Sequence, residues 1–133
     1  MSSKRVVHVM SFYDVPGRVA FSGAENHLFT LMAGQRRAGW QVELLMVIGL
    51  DGARLHQKAD ELRAAGIAVT CVNYPVMGLG AVYKLLRPLI IAPLAKVLRR
   101  YKHDVVHIHP LTGSSGLAAA AAAVAGCRHV VYS

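Results

Sequence analysis

Cysteine is nearly absent: the 133-residue chain holds two, Cys71 and Cys127. That is too few to staple a small secreted scaffold, and no C-x-x-C pair suggests a zinc or redox site. Both read as core thiols. Acidic residues are also scarce, 7 against 15 Lys and Arg, for a formal charge of +8. No run approaches the ~20 apolar residues that span a bilayer. The apolar run after Lys4 and Arg5 is short, contains His8, and meets Ser11 and Asp14 without a small-residue cleavage site, so it does not read as a signal peptide. The expected location is therefore cytoplasmic. Disorder is excluded by a hydrophobic content of 54% and a mean hydropathy of +0.38, because disordered chains are poor in apolar residues. The length fits one domain over residues 1–133 with a real core. A sheet buried on both faces would account for the apolar excess.

What the sequence does contain is an alternation of short β-rich runs with longer helical patterns. Val6 to Phe12 reads as a first strand, followed by a loop punctuated by Pro16 and Gly17. Ser22-Gly23-Ala24-Glu25 fits a capping box that opens a helix carrying Ala24, Leu28, Leu31, Met32 and Ala38 on roughly one face and ending at Gly39. Trp40 to Ile48 is a second strand. Leu55, Ala59, Leu62 and Ala65 mark a second helix, closed by Gly66. Ile67 to Val72, Asp104 to Ile108 and Arg128 to Tyr132 complete five strands, with an alanine-rich helix from Leu117 to Ala125 before the last. This spacing predicts βαβ units with right-handed crossovers, hence an α/β fold with a doubly wound parallel sheet, for which the order 3-2-1-4-5 is taken. The last strand runs to the chain end with no helix to cover it, so the chain is expected to be the truncated front part of a longer protein.

Doubly wound sheets bind ligands beyond the carboxyl ends of their strands, where the strand order reverses. That crevice falls between strands 1 and 4. It collects Asp14, Gly17, Arg18, Ser22 and Gly23 from the first loop, and His109, Thr112, Ser114 and their glycines from the loop after the fourth strand. Two helix N-termini, a cation and an imidazole there suit a phosphate-bearing ligand. His109, at the end of its strand before Pro110, suits a base or a donor to a hydroxyl or phosphate. The alternative is a satisfied edge histidine. His107 shares its face, but a metal site is not expected, because neither a carboxylate nor a third histidine lies nearby in sequence. Asp14 reads equally as a turn residue, and Glu25 as a cap first and a ligand contact second. Gly78-Leu79-Gly80 follows the wrong strand for a dinucleotide loop, and Tyr83 stands where its third glycine belongs.

Residues 82–102 carry Lys84, Arg87, Lys96, Arg99, Arg100 and Lys102 and no acid, with apolar residues at helical spacing and Pro88 and Pro93 to kink or split the segment. Such a stretch fits an anionic membrane surface, or equally a crossover helix with a solvated basic face. No nucleic-acid-binding motif accompanies it.

Three segments in order carry a family resemblance across essentially the whole chain. Ser22-Gly23-Ala24-Glu25-Asn26-His27-Leu28 resembles a Gly-Gly-Ala-Glu helix start. Arg37-Ala38-Gly39-Trp40-Gln41-Val42 resembles an R-x-G-H-x-V step into a strand, and Asp104-Val105-Val106-His107-Ile108-His109 a D-V-V-H-x-H strand. Together they resemble the N-terminal, Rossmann-like half of GT-B glycosyltransferases of the family-4 type. Tyr13-Asp14-Val15-Pro16-Gly17 is similar to the first loop of phosphatidylinositol mannosyltransferases. The resemblance implies transfer of a sugar from a nucleotide-sugar co-substrate to an acceptor, lipid-linked or of the cell envelope, with retention and with neither a metal nor another cofactor required. It implies that Ser22 and Gly23 face the donor diphosphate and that His109 lies by the acceptor and the transferred sugar. Acceptor binding then falls to Asp14, Arg18, Glu25, Thr112 and Ser114. Ser22 stands where the family has the first glycine of the pair, which weakens close backbone approach to the diphosphate. The family's C-terminal donor-binding domain, with its Glu-x7-Glu segment, has no counterpart in the sequence, so the chain alone is expected to be inactive. Work at the inner face of a membrane is the expected setting. A non-catalytic α/β module that binds a nucleotide or a protein is the rival reading, and a sugar-nucleotide epimerase of GT-B type a third.

Overall fold

The computed structural model describes residues 4–17, 19, 21, 23–50, 52–73, 91–101, 103–109 and 115–132. The chain runs β1 (Arg5–Tyr13), α1 (Gly23–Arg37), β2 (Gln41–Leu50), α2 (Ala53–Ala64), β3 (Ala68–Asn73), α3 (Ile91–Leu98) with a 3-10 turn at Arg99–Tyr101, β4 (Val105–Ile108), α4 (Ser115–Ala125) and β5 (His129–Tyr132). The five strands form one sheet in the order β3-β2-β1-β4-β5, all pairings parallel. This is the doubly wound α/β fold expected from the alternation, with β1 central and the strand order reversing between β1 and β4.

Side chains alternate between the two faces of each strand, and the core divides accordingly. Val6, Met10 and Phe12 of β1 and Leu44, Met46 and Ile48 of β2 pack against Leu28 and Met32 of α1 and Leu55, Ala59 and Leu62 of α2. Val7, Val9, Leu45, Val47, Val106 and Ile108 face the other way, onto Leu94, Ala95 and Leu98 of α3 and Ala121, Ala122 and Ala125 of α4. A strand buried on both faces reads as an unbroken apolar run, which is why β1 and β2 show little alternation in sequence. Of the expected apolar face, Leu28 and Met32 are buried in α1, whereas Ala24 at its start and Ala38, just past its end at Arg37, are exposed.

Local chemistry sets the ends of the elements. Gly66 adopts φ +88, a left-handed conformation that closes α2 and leaves room for Arg36, whose guanidinium would meet any Cβ there. Arg36 Nε donates to the Ala65 carbonyl at 2.9 Å. Pro93 lies in the first turn of α3, where a missing backbone N–H costs no helical hydrogen bond. At the amino ends of the strands, Arg5 donates to both carboxylate oxygens of Glu43 at 3.1 and 3.2 Å. Its guanidinium lies 3.7 Å from Asp104 and 4.7 Å from the Tyr101 ring centroid. That cluster ties β1, β2 and the approach to β4 together, opposite the crevice. Cys71 packs against one core layer and Cys127, in the turn before β5, against the other. Neither forms a disulfide.

The sheet's middle predicts where substitutions hurt. Leu44→Ala, at 1% exposure, should lower unfolding free energy by about 2–5 kcal/mol. Val131→Ala on the edge strand, at 47% exposure, should change it by no more than about 0.5 kcal/mol. Urea denaturation of both variants checks the contrast.

Candidate functional site

The site is built where β1 and β4 run side by side. Their register pairs Val6 with Val105, Val7 with Val106 and His8 with His107, and the His109 N–H extends the ladder by donating to the Val9 carbonyl at 3.0 Å. Alternation then puts His8, His107 and His109 on one face of the sheet, the face that α1 covers. His8 is 0% and His109 9% exposed. The ring centroids of His107 and His109 are 4.1 Å apart, and His8 lies 5.1 Å from each of them. No third histidine lies near His107 and His109 in sequence, but a strand ninety-nine residues upstream brings His8 beside them by register.

His8 is held from both sides. Its Nδ1 lies 2.8 Å from His109 Nε2 and its Nε2 lies 2.7 Å from the Gln35 amide oxygen on α1. Burial pushes the His8 imidazole down to about 4, with the nearby His107 adding to the fall against the raising effect of the Gln35 hydrogen bond. His109 is pushed down to about 3, again chiefly by burial, with His107, His8 and His27 contributing. Burial also lowers His107. All three rings are therefore neutral at pH 7. His27 belongs to α1, so its influence on His109 marks the approach of the helix's early turns to the carboxyl end of β4.

Three neutral imidazoles with ligand nitrogens within 4.8 Å of one another have the donor types of a zinc site. The spacing argues otherwise. Two ligands of a tetrahedral zinc, each about 2.0–2.1 Å from the metal, stand about 3.3 Å apart. The 2.8 Å between His8 and His109 is a hydrogen-bond length.

The other residues singled out in sequence divide into those the structure describes and those it does not. Gly23 is the exposed first residue of α1, and a Cβ there would meet no atom within 4 Å. Glu25 is partly buried in the first helical turn, where the helix dipole favours an acid. Asp14, 8% exposed, follows β1 and turns to α2. It accepts from the Arg54 backbone N–H at 3.1 Å and from Arg54 Nε at 2.7 Å, and the guanidinium forms an ion pair with it. Asp14 thus caps α2 from a distance, and a Cβ on Gly52 would collide with its carboxylate. Arg18, Ser22, Thr112 and Ser114 lie outside the described residues, as do 82–90 and Lys102 of the basic segment. In the described part, Leu94, Ala95, Leu98 and Tyr101 are buried in the core, while Lys96, Arg99 and Arg100 are exposed. That part is a crossover helix with a solvated basic side. Among the described residues no helix is long and apolar enough to cross a membrane.

Gln35 and His8 are the residues of this arrangement that sequence reasoning passed over. A signal was present: Val-Val-His occurs at 6–8 and again at 105–107, and the two copies pair in register.

Among comparisons with known proteins, the family model described as a glycosyl transferase 4-like domain matches residues 22–133. No curated protein matches the chain, and no solved structure does.

Imidazoles held neutral by the fold make stability pH-dependent. Unfolded, His8 and His109 take up protons as pH falls below about 6.5, whereas folded they resist to about 4 and about 3. Their stabilising contribution is thus complete above pH 6.5 and is lost as pH falls toward those values. The urea midpoint should drop steadily from pH 7 to pH 4, and the drop should be shallower in His8→Phe. A flat wild-type profile over that range would contradict the burial of neutral rings.

Proposed function

The chain belongs to the glycosyltransferase 4-like family, and from that premise we propose that it forms the acceptor-side domain of an enzyme that moves a sugar from a nucleotide-sugar donor to an acceptor hydroxyl with retention. One observation supports the reading above the others. His109 ends β4 at the switch point, neutral, buried and hydrogen-bonded from behind. In this reading it touches the acceptor, orients the hydroxyl and draws on its proton as negative charge builds on the attacking oxygen. The start of α1, Ser22 and Gly23, faces the donor diphosphate, where backbone N–H groups and the helix dipole favour an anion. The open space beside Gly23 suits that approach.

Glu25 with Arg18, Thr112 and Ser114 would line the acceptor side. Asp14 would act one step back, by tying the first loop to Arg54 and the start of α2. The acceptor class that fits best is lipid-linked or a cell-envelope glycan, brought to the domain at an anionic membrane surface. Lys96, Arg99 and Arg100 are exposed along one side of α3 and its following turn and would meet the lipid headgroups. The donor-binding domain is a further partner in this reading.

Two experiments test it. In the enzyme that joins this domain to its donor-binding domain, His109→Ala should lower turnover by about a hundredfold with an unchanged circular dichroism spectrum. Turnover within a few-fold of wild type would remove the role. The chain should also bind vesicles rich in anionic lipid, less so as salt rises and much less in the double variant Arg99→Gln, Arg100→Gln. Binding indifferent to both changes would leave α3 as a crossover helix alone.

A further inference from the structure

The hydrogen bonds around His8 have a direction, and it propagates. The Gln35 atom that meets His8 Nε2 at 2.7 Å is the amide oxygen, which only accepts, so His8 Nε2 carries the hydrogen. A neutral imidazole carries one N–H, so His8 Nδ1 is a lone-pair nitrogen. That nitrogen lies 2.8 Å from His109 Nε2, and between two rings only an N–H can fill that contact. His109 must therefore be the donor, with its own hydrogen on Nε2. Each ring is committed by the one behind it, from α1 through β1 to the end of β4.

We propose that Gln35 and His8 are positioning residues that fix His109 as the Nε2–H tautomer, so that His109 meets the acceptor through Nδ1 as a hydrogen-bond acceptor rather than as a donor. The consequence for chemistry rests on the reading of His109 as the group that touches the acceptor. An acceptor hydroxyl would donate its proton to Nδ1, raising the electron density on the oxygen that attacks the sugar. The opposite tautomer would offer that oxygen an N–H and hold back its lone pair. The relay works only while His8 is neutral, because a doubly protonated His8 has no lone pair for His109 to donate to. Were His107, stacked 4.1 Å from His109, or His27 on α1 to take up a proton, its charge would oppose another on His109. Burial of His8 at 0% exposure disfavours charge there.

The test reads the tautomer directly and needs no transfer activity. The full chain is labelled with 15N on histidine, and long-range proton–nitrogen correlations are recorded at pH 7. His8 and His109 are each expected to show a protonated Nε2 and an unprotonated Nδ1. Protonated Nδ1 in either ring would overturn the proposal, since the relay would run the other way. So would one equivalent of zinc per chain with His109 Nε2 as its ligand. In Gln35→Met, which is of similar length but offers no amide oxygen, both tautomers of His109 should appear. An unchanged His109 pattern in that variant would overturn the role of Gln35. If Gln35→Met does not fold, the wild-type spectrum still decides the direction of the relay. The two readings fail separately. The expected spectrum together with an unimpaired His109→Ala enzyme would remove the transfer role and leave the relay. A reversed spectrum together with an essential His109 would do the converse.

Discussion

The parallel register of β1 against β4 is the constraint on which the rest of this structure depends. It brings residue 8 beside residue 107 and carries the ladder one step further to His109. It also places β1 between two neighbours with both faces covered, which requires the apolar run around His8. A one-residue slip of either strand would turn its histidines to the α3–α4 face. The polar cluster would then lie among Val9, Val106 and Leu98, without the Gln35 oxygen. Register is thus specified twice: by apolar residues that must be buried on each face, and by imidazoles that need one particular partner.

Burying polar groups in the middle of a sheet is costly unless their hydrogen bonds are made. The solution here is neutrality together with pairing. His8 uses both ring nitrogens, and the low dielectric that disfavours charge makes each of those bonds stronger. The same surroundings keep the buried His109 imidazole neutral near neutral pH. Structure and electrostatics therefore have a common cause in the depth at which the strands hold the rings.

Much of the fold was legible in the chain. The alternation of β-rich and helical runs, the glycines at 39 and 66 and the apolar excess all followed from a doubly wound sheet, and the order taken for that sheet is the one observed. Boundaries moved by a residue or two where pairing, rather than propensity, sets the end. Gly49 is an example: the second strand was expected to end at Ile48, but Gly49 is buried within β2, because β1 continues beside it to Tyr13. The site was legible in one of its halves. His109 was visible from its place at a strand end. His8 was read as a blemish in an apolar strand, and Gln35 not at all, because a contact across one hundred and one residues leaves no trace in local periodicity. The repeated Val-Val-His was the trace, and it gains meaning once the two strands are known to be neighbours in register.

Asp14 shows how a residue at a crevice is shared between structure and function. Its carboxylate satisfies the start of α2 and pairs with Arg54, and Gly52 stands where any side chain would obstruct that reach. That carboxylate is committed to a helix start and a guanidinium. Its effect is on the backbone of the loop between β1 and α1, which it anchors at one end while Gly23 begins the helix at the other. The loop that leads to the helix start is thereby held by α2, a helix on the same face of the sheet. The two ends of the crevice then rest on different supports, an ion pair beneath the first loop and a chain of neutral imidazoles beneath β4. Charge is kept to the former and excluded from the latter.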